Sequence, residues 1–176
     1  MMTTTKRPNP LDRYAQDLTE GQVTWIGVRP KRREPLLSVD KVNAVAGLGL
    51  EGDHRMTKSP GSGRQVTLIS QEFIDQIAYF TGHNTIEPAL LRRNLVVSGI
   101  NLNGLRRQRF KIGEALFEAT QLCHPCARME QALGQGGVGA MMGHGGLCAK
   151  ILEDGVICVG DTVKVMMPDD SGASTD

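Results

Sequence analysis

The chain contains many short segments with strand-type sequence patterns, and few helical patterns lie between them. The strand candidates are Gln22 to Arg29, Leu37 to Ala46, Gln65 to Ser70, Leu95 to Ser98, Ala115 to Ala119, Leu147 to Leu152, Val156 to Val159 and Thr162 to Met166. Strands and helices do not alternate regularly along the chain. The sequence therefore predicts a fold that is mostly β with a few short helices, a barrel or sandwich rather than a doubly wound sheet.

Three helical patterns and one tight turn punctuate these strands. Ser70 is a candidate N-cap for an amphipathic helix that ends at Gly82, and Pro88 opens a shorter helix through Arg92. A third helical stretch covers Arg128 to Leu133. The sequence Glu153-Asp154-Gly155 predicts a hairpin between the strands on either side of it.

Length and composition limit the classes of protein to which the chain can belong. At 176 residues with 40% hydrophobic side chains, it can form one domain with a core. A formal charge of +1 gives no bulk attraction to nucleic acid or to a membrane surface. No stretch approaches the roughly 18 apolar residues of a membrane span, and Met1 to Tyr14 lacks the apolar region of a secretory signal. We therefore expect a cytoplasmic protein.

The two ends of the chain are polar and lack sustained periodicity. We predict a flexible N-terminal tail over residues 1–21, one domain over residues 22–167, and a disordered acidic tail over residues 168–176. In a cytoplasmic protein, the four cysteines are expected to be reduced, metal-bound or catalytic rather than to form a disulfide framework.

A glycine-rich stretch, Gly47 to Gly52, formally matches the pattern of a dinucleotide-binding loop. That loop needs a helix after it, so that the helix N-terminus can face the pyrophosphate. Here Asp53, His54 and Arg55 follow, and then a Pro-Gly-Ser-Gly loop, with no helical pattern. We interpret the stretch as a glycine-rich turn, and spacing leaves open whether Asp53 and His54 belong to a site.

The sequence Cys123-His124-Pro125-Cys126 is the strongest candidate for chemistry, and three interpretations of it are open. In the first, the two thiols are half of a zinc site, which His124, His144 and Cys148 could complete only if the fold brought them close. Alternatively they form a thiol–disulfide couple. In the third interpretation one cysteine is a reactive or metal-binding thiolate, favoured by Arg128 and by a helix start. Simple packing suits Cys148 and Cys158 better than it suits this polar turn.

Glycines and basic residues suggest an anion site. The run Met141 to Gly146 contains Gly143, His144, Gly145 and Gly146, and backbone N–H groups at such a density of glycines can approach and cradle an anion. A mobile loop is nearly as good an explanation of the glycines. Basic candidates for the same ligand are Arg64 after a Gly-Ser-Gly turn, and Arg92-Arg93-Asn94 before a strand.

Taken in order, these segments resemble the MOSC domain, the family named for the C-terminal domain of molybdenum-cofactor sulfurase. The matching stretches are residues 47–55, 63–70, 91–99, 112–115, 123–126 and 143–150, followed by Gly155-Val156 and Gly160-Asp161. They cover roughly Gln22 to Val165. Each stretch is a weak signal alone, and their order and spacing together are specific.

The resemblance implies a MOSC-type β-barrel and a cysteine that carries sulfur or binds the molybdenum of the molybdopterin cofactor. The matching cysteine is Cys126, directly after Pro125, and Cys123 is its candidate catalytic neighbour. The cofactor-binding candidates are Arg64, Arg93, Asn94, Arg128, His144, Gly145, Gly146 and Lys150. The family often has an aromatic residue where Cys148 stands and arginine where His144 stands.

Two functions follow from the resemblance. The first is a molybdenum-cofactor oxidoreductase that acts on N-hydroxylated compounds and takes electrons from an external donor. The second is a sulfur carrier, in which Cys126 accepts a persulfide from a cysteine desulfurase. The sequence matches neither an aminotransferase-like desulfurase, the pyridoxal phosphate-dependent partner expected for the second function, nor a ferredoxin domain. A zinc or thiol–disulfide protein is the remaining alternative, and the oligomeric state is not predicted.

Overall fold

The structure is a computed structural model, and it describes residues 10–58 and 60–167. Seven strands close into a barrel: β1 (Gly21–Val28), β5 (Val66–Ser70), β6 (Leu95–Ser98), β7 (Arg109–Ile112), β8 (Ala115–Leu122), β9 (Leu147–Glu153) and β11 (Thr162–Met166). Their order around the barrel is β1-β11-β7-β8-β9-β5-β6, and β6 pairs with β1 to close it. This architecture confirms the predicted mostly-β barrel with few short helices.

Side chains alternate along each strand between the inside and the outside of the barrel, and the inward-facing ones are apolar. In β8, Ala115, Phe117 and Ala119 are buried while the residues between them are partly exposed, as expected for a strand with one face on a core. Phe117 stacks on Phe110 of β7 with ring centroids 5.4 Å apart. Residues of the opposite parity, among them Cys148 of β9, point to the outer surface of the barrel.

A helical layer covers part of that outer surface. It comprises α2 (Gln71–Thr81), α3 (Ala127–Leu133), α4 (Gly137–Met141) and a 3₁₀ helix, Pro88–Leu91. Ser70 caps α2 as predicted, because its Oγ accepts a hydrogen bond from the Phe73 N–H at 3.1 Å. The helix α2 crosses over between β5 and β6, which are parallel. Its buried residues pack with Met129 of α3, and this contact fixes the start of α3 beside the barrel.

A second sheet corrects two predictions. It consists of β3 (Lys41–Val45), β4 (Gly49–Leu50) and β10 (Gly155–Cys158). The predicted strand over Leu37 to Ala46 is divided, because β2 (Leu37–Val39) pairs with β1 whereas β3 pairs with β10. The hairpin prediction at Glu153-Asp154-Gly155 is wrong, since β10 leaves β9 to pair with β3, and the Asp154 carboxylate accepts a hydrogen bond from the Ala46 N–H.

Some elements had no sequence prediction. These are β7, β4, α4, α1 (Arg55–Lys58) and two 3₁₀ helices, Asp12–Asp17 and Leu102–Leu105. The first 3₁₀ helix falls within the tail predicted for residues 1–21, and its Ala15 is buried against the barrel core. Residues 1–9 and the tail predicted for 168–176 lie outside the described residues. Within the described ranges, no helix has the length and apolarity needed to cross a membrane.

Candidate functional site

Cys123 and Cys126 differ sharply in environment. Cys123 follows the end of β8 and is only 2% exposed, whereas Cys126 is exposed at the residue preceding α3. The Cys126 carbonyl accepts a hydrogen bond from the Met129 N–H at 2.8 Å, which fixes the first turn of α3. All four cysteines have free thiols. The two cysteines of the Cys-x-x-Cys pattern therefore differ in accessibility: the Cys123 thiol is buried, and the Cys126 thiol is open to ligands.

The buried sulfur of Cys123 is held by a second cysteine and by an arginine. Cys148 lies on the outer face of β9, which pairs with β8, and its thiol is hydrogen-bonded to the Cys123 sulfur. An Arg64 guanidinium nitrogen lies 3.4 Å from the same sulfur. Cys148 is fully buried, as the packing interpretation predicted, but it packs against the site rather than in the barrel interior.

These contacts give the two thiols opposite acidities. The hydrogen bond from Cys148 lowers the pKa of Cys123 to about 6, and the positive charges of Arg93, Arg64 and Arg55 act in the same direction against the effect of burial. The same hydrogen bond and burial raise the pKa of Cys148. Of the two buried thiols, Cys123 is therefore the more acidic, and Cys148 is the S–H donor.

The glycine run lies directly against Cys123. The Cys123 N–H donates a 2.8 Å hydrogen bond to the Gly146 carbonyl, and a Cβ on Gly145 would overlap the Cys123 carbonyl oxygen at 2.0 Å. A Cβ on Gly146, which has φ +92°, would meet the Leu68 carbonyl oxygen at 1.9 Å. Close backbone approach therefore explains why glycine occupies both positions.

Arg93 and Asn94 are buried and join the elements around the site. The Arg93 guanidinium donates to the carbonyls of Gly145 at 2.8 Å, Leu91 at 2.9 Å and Cys123 at 3.4 Å. It thereby connects the glycine run to the turn that carries Cys123. All three partners of Arg93 are backbone carbonyls, so the geometry gives this arginine a positioning role.

A buried polar network lies next to Arg93. The Asn94 Oδ1 accepts hydrogen bonds from the Thr67 N–H and hydroxyl, and its Nδ2 donates to the Gly27 carbonyl and to Asp53 Oδ2 at 2.9 Å. The Asp53 carboxylate, 4% exposed, also accepts from the backbone N–H groups of Arg29 and Arg55, both at 3.0 Å. Asp53 is the negative centre of this region.

Six arginines surround the site and carry an excess of positive charge; we call them the arginine cluster. Its members are Arg29, Arg55, Arg64, Arg92, Arg93 and Arg128. None of these guanidinium groups forms an ion pair with a carboxylate in the described part of the chain. Burial, and then the charge of Arg92, lowers the pKa of Arg29 to about 10, although Asp53 opposes this effect.

Beside the excess positive charge, a buried donor of Arg29 also indicates an anion-binding site. Arg29 is 5% exposed, and among residues 10–58 and 60–167 its Nε is the only buried side-chain nitrogen or oxygen without a hydrogen-bond partner. A buried donor without an acceptor is costly, and native proteins contain few of them. An anion bound among these arginines would supply the acceptor and offset the charge.

Two predicted cofactor contacts face elsewhere. The His144 ring packs edge-on against Phe73 at 5.2 Å and approaches Phe80 at 6.3 Å, so it contacts α2 while the neighbouring Gly145 contacts Cys123. The Lys150 ammonium lies 3.3 Å from Glu118 on the adjacent strand. The structure therefore brings together Cys123, Arg64, Arg93, Gly145 and Gly146, but it places the side chains of His144 and Lys150 against other partners.

The sequence of the chain also matches a known protein family. The family model of the MOSC domain matches residues 53–164, which is more than half of the chain. The chain belongs to the MOSC domain family. The matched segment begins at Asp53 and contains Arg64, Arg93, Cys123 and Cys126, so most of the site of this MOSC protein lies inside it.

Solved structures agree with the MOSC fold. The YuaD protein from Bacillus subtilis has a TM-score of 0.72 at 21% identity, over 84% of this chain and 96% of that chain. YiiM from Escherichia coli has a TM-score of 0.64 at 19% identity, over 83% and 70% of the two chains. YiiM from Geobacillus stearothermophilus has 0.65 at 18%, over 84% and 75%. None of the functionally curated proteins matches the chain significantly.

The zinc interpretation lacks ligands in this MOSC chain. Across the described residues, no group of three or more histidine, cysteine, aspartate or glutamate side chains could hold a metal ion. A structural zinc site needs four such ligands. The Cys123–Cys126 spacing therefore does not mark a closed zinc site in the described part of the chain.

Sequence reasoning missed several residues of the MOSC site. Arg29 gave no signal, Arg55 appeared only as the last residue of the matching stretch 47–55, and Cys148 was considered as a packing residue or a zinc ligand but not as a hydrogen-bond partner of Cys123. Asp53 was left open, and its role depends on Asn94, which is 41 residues away. The one signal for Asp53 in the sequence was an acidic residue directly after a glycine turn.

Replacing Cys148 with alanine should raise the pKa of Cys123 above about 6, towards its ordinary value of 9.0, because the largest influence that lowers it is lost. The measurement is an ultraviolet thiolate titration in a background in which Cys126 and Cys158 are serine. Arg32→Gln, on an exposed arginine outside the site, is the control and should leave the titration unchanged. An unaltered pKa in Cys148→Ala would refute the assigned hydrogen bond.

Proposed function

We propose that this MOSC protein binds the molybdenum cofactor through Cys126 and reduces N-hydroxylated compounds with electrons from an external donor. The observation that carries the proposal is an exposed thiol, Cys126, at the edge of an arginine cluster in which no guanidinium group forms an ion pair with a carboxylate among the described residues. A sulfur ligand suits a soft, redox-active metal, and a cluster of guanidinium groups suits a phosphate. The molybdenum cofactor combines these two chemistries.

The residues fit such a group on two counts. The unpartnered Arg29 Nε and the uncompensated charge of the cluster are what a bound phosphate would satisfy. A metal that arrives held by its own organic chelator needs few protein ligands, so one thiolate is enough. Arg64, which is exposed, and Arg55, which is partly buried, are the donors on the Cys123 side.

The protein's own residues then have separate tasks. Cys126 would be the ligand. Arg93, Gly145 and Gly146 hold the turn that carries Cys123, three residues before it, and Asn94 holds Asp53. The Cys123 sulfur, whose pKa is lowered by the hydrogen bond from Cys148 and by nearby arginines, would limit the mutual repulsion of those arginines when it is ionised. When bound, the cofactor supplies a metal centre able to pass two electrons to the N–O bond. Lys150 and His144 are the weakest of the cofactor candidates because their side chains face Glu118 and α2.

A sulfur-carrier function is the second candidate, favoured by the exposure of Cys126. In that reaction the Cys126 thiolate attacks the outer sulfur of a persulfide on a cysteine desulfurase. The sulfur–sulfur bond of the donor breaks, the desulfurase cysteine leaves as a thiolate, and Cys126 becomes the persulfide. Intact mass after incubation with a desulfurase and free cysteine would show one added sulfur atom, absent in Cys126→Ser.

Reductase activity tests the proposal directly. The protein is purified from cells that make molybdopterin and is given benzhydroxamic acid, with reduced methyl viologen as electron donor. We expect benzamide and water as products, and we expect the Cys126→Ser rate to fall to that of the protein-free control. Cys158→Ser is the matched control, since Cys158 lies on β10 in the second sheet. Full activity in Cys126→Ser would contradict the assigned ligand.

A further inference from the structure

An open groove lies against the first turns of α3, the helix that begins directly after Cys126. It has a volume of about 520 Å³ and lies between the 3₁₀ helix Pro88–Leu91, the helix α3 and the loop between β1 and β2. Its apolar lining includes Leu90, which is 40% exposed, and Met129, which is buried. A concave surface of this size with an apolar floor is typical of a site for a small organic molecule.

Three arginines stand around this apolar floor. Arg33 comes from the loop, Arg92 follows the 3₁₀ helix, and Arg128 lies in the first turn of α3. In the described ranges, none of the three forms an ion pair, and Glu34, the acidic residue that also lines the groove, is likewise unpaired. The groove is therefore positively charged on balance.

Arg92 and Arg128 are close enough to act on each other. Burial lowers the pKa of Arg92, and the charge of Arg128 lowers it further, whereas Cys126 opposes both effects. Two cations held near each other beside an apolar surface gain from an anion placed between them. Since Cys126 directly precedes α3, whose first turn carries Arg128, a ligand paired with both arginines would lie on the side of the groove nearest the exposed sulfur.

The backbone gives an independent indication at the same place. Three non-glycine residues in the described part of the chain have positive φ angles, and two of them, Arg33 at +72° and Arg92 at +62°, line this groove. The left-handed region is unfavourable for residues with a Cβ, and such conformations concentrate at ligand-binding sites. The chain thus holds two unpaired arginines at the groove in an unfavourable conformation.

We infer that the groove binds the substrate, and that this substrate is a small organic anion that carries an apolar body and a carboxylate or phosphate group beside the N-hydroxyl group of the proposed function. The acid group pairs with Arg92 and Arg128, and the apolar body lies on Leu90 and Met129. The inference rests on the proposed function only in making this anion the substrate. The binding itself needs no cofactor.

Isothermal titration of the full chain, purified without cofactor, tests the binding. The probes are 4-phenylbutanoate, 4-phenylbutyl phosphate and the neutral 4-phenylbutanamide, which share one apolar body. We expect both anions to bind at least about tenfold more tightly than the amide, and their ratio identifies the preferred acid group. Equal affinity for acid and amide would overturn the inference.

Arg128→Gln removes one charge from an exposed position and should leave the fold intact. It should weaken anion binding by about tenfold and leave amide binding unchanged. Arg32→Gln removes the same charge from an exposed position of the β1–β2 loop that does not line the groove, and it should bind as the wild type does. Unchanged anion affinity in Arg128→Gln would refute the site.

The failure of this inference can be distinguished from the failure of the proposed function. If the protein binds the anions but contains no molybdenum and has no reductase activity, the proposed function alone is refuted. If the protein has reductase activity but does not bind the anions, this inference alone is refuted.

Discussion

Replacing Gly146 with alanine is expected to lower the free energy of unfolding by about 4 kcal/mol, the largest effect among the substitutions considered. A Cβ at this position would lie 1.9 Å from the Leu68 carbonyl oxygen, in backbone that β5 and β9 hold rigidly by their pairing. The positive φ of +92° adds the cost of a left-handed conformation. Because the Gly146 carbonyl accepts the Cys123 N–H, the same change would also displace the buried thiol.

Gly143 provides a matched control for this substitution. It lies in the same run with φ +78°, and a Cβ there would have no atom within 4 Å. Gly143→Ala should therefore show only the cost of the left-handed conformation, about 1 kcal/mol. Urea unfolding followed by the fluorescence of the single tryptophan, Trp25, measures both variants. Equal destabilisation by the two substitutions would contradict the close backbone approach at Gly146.

The second large effect is expected for Asp53→Ala, which should lower the free energy of unfolding by about 3 kcal/mol. The variant loses the acceptor of the Arg29 N–H, the Arg55 N–H and the Asn94 side chain, all of them buried or partly buried donors. It also removes a negative charge that acts on Arg29 and Arg55, so repulsion within the arginine cluster increases.

The effect of Asp53→Ala should depend on anions if it arises from charge as well as from lost hydrogen bonds. Inorganic phosphate should restore part of the lost stability, because it can bind among the uncompensated arginines. Thermal unfolding with and without phosphate, at constant ionic strength, measures this recovery. Asp40→Ala, at an exposed turn between β2 and β3, is the control. A loss of stability in Asp53→Ala no larger than in Asp40→Ala would contradict the buried network.

The barrel was predictable from sequence where one face of a strand is apolar. Residues Leu95–Ser98 and Thr162–Met166 form strands with the bounds predicted for them, and Ser70 caps its helix. The strand Arg109–Ile112 was not predicted. Only two of its four residues are apolar, and they alternate with the outward-facing Arg109 and Lys111, so the pattern is too short to indicate a strand. The hairpin at Glu153-Asp154-Gly155 failed because turn residues report a change of direction and not which strand will pair next.

The site was predictable only where its residues are close in sequence. The Cys-x-x-Cys spacing drew attention to Cys123 and Cys126, and the glycine run to Gly145. The sequence offered Cys148 as a partner of this pair only if the fold brought it close, and the pairing of β8 with β9 places it beside Cys123. The arginine cluster combines residues from distant segments, 29 to 128 in sequence, so no local pattern encodes its excess charge.

The most direct test of the proposed function is the molybdenum content of the protein purified from cells that make molybdopterin. The wild type and Cys158→Ser should each contain stoichiometric molybdenum, and Cys126→Ser should contain almost none, while all three chains remain folded by circular dichroism. Molybdenum retained in Cys126→Ser would contradict Cys126 as the ligand. Stoichiometric zinc in place of molybdenum in the wild type would contradict the proposed cofactor.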